Sequence, residues 1–251
     1  MMKKTQELIL VSLFSSIILM LSLIPNLGLI IVFGGVSLTI IHIPVLIGVM
    51  TFKRLVNVII LGFVFGLGSF LAALTRGSTP IDLAFVNPLI SIVPRILFAV
   101  AAFYLFKFSK YLQQHISYVY QFILLAVVLV LMSIGLADYV VTADILAPLV
   151  SYLVVGFILV FMLVVMYLQT RTKRDYMFIP TTALLSTLFH TLLVLSALVI
   201  VEPSLFNFTF GQAVEVIYGI MITNGLLEAV LAVFVVSPIV FALRLALRDQ
   251  V

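Results

Sequence analysis

The chain has 251 residues, of which 65% are hydrophobic and only 9% charged, against about a quarter charged in an ordinary soluble domain. That balance excludes a soluble globular fold and points to one all-α, polytopic membrane domain covering residues 1–251. Cysteine is absent, so disulfides, thiolate metal sites and cysteine nucleophiles are excluded. Thirteen Lys and Arg oppose nine Asp and Glu, but the basic residues are scattered rather than patched, which argues against a nucleic-acid partner.

A helix needs about 20 mostly apolar residues to cross the hydrocarbon of a bilayer. Eight stretches qualify as candidates: 7–24, 36–52, 55–74, 88–107, 118–136, 145–169, 177–200 and 213–243. Met1-Met2-Lys3-Lys4 before the first resembles a leader, yet no small-residue cleavage site follows, so that run is expected to stay as a first helix. The second stretch is short and carries Pro44, which predicts a kink or tilt. With the N-terminus inside, Lys3, Lys4, Lys53, Arg54, Lys107, Lys110, Arg171, Lys173, Arg174, Arg244 and Arg248 all fall on inner segments. The outer segments hold Arg76, with Asp82, Asp138, Asp144 and Glu202. Eight helices with both termini in the cytoplasm satisfy the positive-inside rule.

The remaining basic residue, Arg95, lies inside a span, roughly 10 Å from its outer end at the rise of an α-helix. An ionisable group at such depth marks a functional site by default. Asn87, Ser91 and Arg95 repeat at i, i+4 and i+8, one polar stripe on one helix face. His42 in the second helix, His190 with Ser186 in the seventh, and Asn224 with Glu228 in the eighth fall at comparable depths. If these faces point inward, they line one cavity open to the outside. A guanidinium there would grip a ligand carboxylate through two hydrogen bonds, and the imidazoles and amide would bind hydroxyls or carbonyls. Each residue also has a bland reading. Arg95 could pair with Glu215 or Glu228 across two helices; His42 could satisfy carbonyls freed by Pro44. His190, with Thr187 and Thr191 nearby, could be interhelical glue. Gly62 and Gly66, and Ser12 and Ser16, are small-xxx-small pairs of the kind that mark close helix contacts.

Several chemistries are missing. The chain has no Walker A loop, no HExxH pair, no GxSxG elbow and no intramembrane pair of aspartates. Three histidines without cysteine make a metal site a poor fit. An enzyme is therefore disfavoured, no cofactor is expected, and binding or transport becomes the default.

Five motifs in order carry a family resemblance. They are Ile41-His42-Ile43-Pro44-Val45-Leu46-Ile47-Gly48, then Gly62-Phe63-Val64-Phe65-Gly66-Leu67, Asn87-Pro88, Val93-Pro94-Arg95-Ile96-Leu97, and Thr223-Asn224-Gly225-Leu226-Leu227-Glu228-Ala229. Together they resemble the substrate-binding S component of energy-coupling factor (ECF) vitamin transporters, closest to the pantothenate type. Residues 1–110 and 177–251 carry the likeness; 111–176 reads as an inserted helical pair in a family whose members usually have six helices. The resemblance implies a prokaryotic plasma-membrane subunit that binds a vitamin from outside. It then docks on a shared transmembrane coupling subunit driven by two cytoplasmic ATPases. It implies Arg95 as the carboxylate ligand, with His42, Asn87, Ser91, His190, Asn224 and Glu228 as further substrate contacts. The loops around Gly34-Gly35 and at 75–87 would close over the ligand. Ser12 and Ser16 stand where the family carries an Ala-xxx-Ala docking pair, and His190 where many pantothenate-type members carry Asn. A stand-alone secondary carrier or channel is the alternative from another class, and an intramembrane enzyme built on Glu228 and two histidines is a third.

Overall fold

Hydrocarbon offers the backbone no water, so a spanning segment must satisfy its own amides and carbonyls, which a helix does. The computed structural model of the chain describes residues 4–31, 37–116, 118–142, 177–205 and 210–246, with scattered residues between 148 and 167. Among these, α1 is Lys4–Leu23, α2 His42–Thr51, α3 Leu55–Arg76, α4 Pro80–Ala84, α5 Pro88–Ser91, α6 Val93–His115 and α7 Tyr118–Thr142. Then come α8, Phe178–Val201, and α9, Phe210–Ile220, which passes through a π-helical turn, Met221–Gly225, into α10, Leu226–Ala246. Six of the described helical stretches are long and apolar enough to cross a membrane. The protein is a polytopic helical membrane protein. The predicted span at 145–169 and the Gly34-Gly35 loop lie wholly or largely outside the described residues.

The second predicted span is corrected. Residues 36–52 do not form one helix: β2, Ser37–Thr39, pairs antiparallel with β1, Leu29–Ile31, and α2 begins only at His42. The run reads as a span because α2 is apolar on every side, and every residue from His42 to Met50 is buried. A helix that is hydrophobic all round is either lipid-exposed or interior; this one is interior, packed among α1, α3, α6 and α10. Ten residues suffice because protein surrounds it.

Long-range contacts fix the order of the ends. Arg54 at the start of α3 approaches Glu7 near the start of α1 at 3.7 Å, and Arg244 near the end of α10 donates to the Met50 carbonyl of α2 at 3.1 Å. Lys4 and Ala246 therefore lie at one end of the bundle, with the hairpin, α4 and α5 at the other. Gln121 near the start of α7 donates to the Ser109 carbonyl of α6 at 2.7 Å, and Thr181 near the start of α8 donates to Gln121 at 3.4 Å. Helices α7 and α8 thus start at the same end of the bundle.

Helix α3 lies between α1 and α6 because its glycines permit close approach. A Cβ on Gly66 would stand 2.6 Å from Ile92 Cα and 2.9 Å from the Ser91 carbonyl oxygen, and one on Gly62 2.7 Å from Ala99 Cβ. A Cβ on Gly68 would meet the Ser22 hydroxyl of α1. Apolar side chains left outside, such as Leu8, Ile9 and Leu13 on α1 and Leu131 and Ile134 on α7, face the lipid. Gly66→Ala is expected to cost about 1–3 kcal/mol, the range for overpacking a close-fitted contact. Gly211→Ala, with open space around it, is expected to cost nothing. Reversible unfolding in mixed micelles, followed by helical circular dichroism, checks the pair.

Candidate ligand-binding site

The polar residues converge near the hairpin end because helices break there. Pro94 has no N–H, so within a helix the carbonyl four residues earlier, at Ile90, loses its donor. The chain turns at Ile92 between α5 and α6, and the Arg95 guanidinium donates through Nη1 to that Ile90 carbonyl. One arginine thus repairs the break and is held inside by it, at 6% exposure. The guanidinium carbon stands 4.9 Å from the Phe85 ring centroid and 5.7 Å from that of Phe65, a cation between two aromatic rings. Its Nε is buried with no hydrogen-bond partner.

Arg95 opens onto a cavity of about 590 Å³, lined also by His190, Thr191, Asn224, Glu228, Phe65, Phe85, Thr39, Arg76 and Asp82. That volume lies within the range of small-molecule sites, about 300–1,000 Å³. Four of the predicted site residues, Arg95, His190, Asn224 and Glu228, share this cavity. The His190 ring packs on Phe98 at 4.7 Å and Phe65 at 5.2 Å between centroids, and its Nδ1 is buried and unpartnered. Asn224 stands in the π-helical turn, a distortion that recurs at functional sites.

Three predicted contacts are placed elsewhere. His42 is fully buried behind His190, the two rings stacked at 5.8 Å, so it backs the cavity wall without lining it. Asn87 is the N-cap of α5, where its side chain accepts from the Leu89 amide at 3.0 Å. The Ser91 hydroxyl, fully buried, donates to the Asn87 carbonyl at 3.0 Å. The continuous stripe Asn87–Ser91–Arg95 is thereby interrupted: the proline-driven break gives the first two residues local backbone work. Nor does Arg95 make the ion pair that the sequence left open. Glu215 is exposed on α9, and among the described residues the ion pair within 4 Å is Arg54–Glu7. Glu228 accepts instead from the Thr39 amide at 2.6 Å.

Thr39 escapes the sequence reading as a cavity residue, and Arg76, Asp82 and Phe85 enter it only as part of the 75–87 loop expected to close over the ligand; folding brings all four to this end. Arg76 donates to the Ser22 carbonyl in the last turn of α1. Asp82 closes the capping box of α4, accepting from the Thr79 amide at 3.0 Å while Thr79 accepts from the Asp82 amide at 3.1 Å. Asp82 lies outside the spans; slight burial raises its pKa, but hydrogen bonds from Thr79 and Ser78 outweigh this and hold it below the ordinary carboxylate range. A depressed folded value means stability that is present above the unfolded pKa of about 3.9 and lost as pH falls through the folded one. Backbone hydrogen exchange across 77–87 is therefore expected to accelerate when the pH is taken below about 3.9, after correction for intrinsic rates. Asp82→Ala is expected to show the faster exchange already at pH 7 and to lose the acid response.

No curated protein matches the chain. Residues 6–149, more than half of the chain, match the family model described as ECF transporter, substrate-specific component. The match runs from α1 through α7 and ends inside the segment that reads as inserted. That family supplies a transport subunit, not an enzyme: it binds a small-molecule substrate and works with a shared membrane and ATPase module. With its bundle of apolar helices and a cavity lined by Arg95, His190, Asn224 and Glu228, the chain belongs to the family of ECF transporter substrate-specific components.

Proposed function

We propose that the chain is the high-affinity binding subunit for a small anionic vitamin such as pantothenate, taken up across a prokaryotic plasma membrane. The observation that carries this is the charge state of the cavity wall. Arg95 is buried with no carboxylate within 4 Å among the described residues, and its Nε is free. A buried cation without a counter-ion costs several kcal/mol, and a ligand carboxylate removes that cost on binding. Phe65 and Phe85 supply an apolar, water-excluding collar for the pair. His190 and Asn224 supply groups for the hydroxyls and amide that such a vitamin carries.

With the N-terminus inside, the cavity opens outward, and the face of α1 bearing Ser12 and Ser16 is left for the shared coupling subunit. Both serines are exposed among Leu8, Ile9 and Leu13. The Ser16 hydroxyl turns back to the Ser12 carbonyl at 2.9 Å, which hides its polarity and leaves a small, flat patch suited to helix packing.

Native mass spectrometry of the detergent-purified chain tests the binding reading. One small organic acid per chain supports it, and titration with pantothenate then fixes the affinity. Arg95→Ala is expected to weaken that binding at least about 30-fold, as loss of a buried charge-pair partner does, with Arg95→Lys intermediate because it cannot form the two-pronged contact. Unchanged affinity in Arg95→Ala would sink the carboxylate assignment. Ser12→Leu with Ser16→Leu is expected to abolish ATP-driven uptake in vesicles holding the coupling module while leaving ligand affinity within about twofold, since surface changes away from a site are near neutral. Uptake by the chain alone in ATP-free vesicles would instead establish a stand-alone carrier.

A further inference from the structure

Glu228 stands on the cavity wall, yet the geometry gives its carboxylate to the protein. Its Oε1 accepts the Thr39 amide at 2.6 Å, joining the first turn of α10 to the last residue of β2. The hairpin does not use that amide itself. Leu29 faces Thr39 in the register, and Ile40 donates to the Gly28 carbonyl at 3.0 Å. Hydrogen-bonded and non-hydrogen-bonded pairs alternate in an antiparallel ladder, so the Thr39 N–H points away from β1, out of the hairpin's edge. The hairpin follows a turn at Asn26, whose φ is 59°, and its two feet, Ile24, Pro25 and Asn26 before β1 and Thr39 and Ile41 at and beyond the end of β2, line the cavity.

We infer that Glu228 is a positioning residue, not a ligand contact: its carboxylate latches the foot of the β1–β2 hairpin to α10 and sets how readily the hairpin side of the cavity opens to a small organic ligand. The latch itself follows from the protein geometry; its effect on ligand traffic rests on the cavity being the binding site proposed above. A hydrogen bond in a water-poor wall is stronger than one in water and helps to hold a short two-stranded hairpin, which is marginal alone. Because Glu228 is spent on the amide, Arg95 is left to a ligand anion.

Hydrogen-exchange mass spectrometry of the full chain in lipid nanodiscs, with no ligand added, tests the latch. Peptides from 24–41 are expected to exchange about tenfold or more faster in Glu228→Ala, as leaving a buried amide without its acceptor predicts. Glu228→Gln keeps an acceptor oxygen and is expected to stay within about threefold of the wild type. Thr39→Pro removes the donor from the other partner, at an outward strand position that tolerates proline, and is expected to match Glu228→Ala. It keeps the test decisive if Glu228→Ala fails to fold. Unchanged exchange in both Glu228→Ala and Thr39→Pro overturns the latch, as does a Gln variant as loose as the Ala variant. With labelled pantothenate as probe, the latch predicts that Glu228→Ala speeds association and dissociation together, so that affinity changes less than either rate. A direct ligand contact would raise dissociation alone. If the wild type binds no pantothenate, the substrate reading falls, and the exchange experiment decides the latch by itself.

Discussion

Where a helix ends or breaks inside a water-free layer, its leftover carbonyls and amides must find a partner in the protein. That constraint organises this bundle. Three arginines each answer a stranded carbonyl: Arg76 that of Ser22 at the end of α1, Arg95 that of Ile90 at the proline break, and Arg244 that of Met50 at the end of α2. Side-chain oxygens answer stranded amides in the same way. Gln113 accepts from Phe178 at the start of α8 at 2.8 Å, Asn87 from Leu89 in α5, and Glu228 from Thr39 in β2. Each bond ties together elements distant in the chain or seals a local break. Polar side chains inside the bundle are thus explained first as backbone partners and only then as ligand groups.

The cavity follows from the places where this accounting is incomplete. Arg95 has more donors than the Ile90 carbonyl can use, and its Nε remains free inside a collar of Phe65 and Phe85. Gly66 lets α3 press against the break, which fixes the ring of Phe65 beside the guanidinium. Glu228, the deep carboxylate that could have neutralised Arg95, is committed to the hairpin. The arrangement leaves Arg95 in the cavity wall with no carboxylate within 4 Å among the described residues, which suits reversible capture of an anion.

Helix α7 is built into the bundle rather than appended to it. Helix α7 is bound to α6 and α8 through Gln121, and Gly135 brings it against Tyr218 and Ile222, where a Cβ would stand 2.9 Å from the Tyr218 hydroxyl. Those contacts reach the π-helical turn that carries Asn224. The family match extends through α7 as well, so α7 is integrated with the bundle in both sequence and packing.

Much was legible in the chain itself. Hydrophobic runs of spanning length reveal the class because bilayer thickness sets a length that few soluble helices share, and a cation deep in such a run stands out because burying it is costly. The sequence by itself sets Arg95, His190, Asn224 and Glu228 apart as polar groups within spans, and all four line the cavity. The remaining features depended on neighbours. Composition cannot tell a lipid-facing helix from one wrapped in protein, so α2 and its hairpin read as a span. The i, i+4 periodicity assumed an unbroken helix, whereas Pro94 broke it and turned Asn87 and Ser91 to capping. Which polar groups are spent on the backbone and which remain free is decided only when distant segments meet, and tertiary structure alone separated Arg95 from Glu228 in that respect.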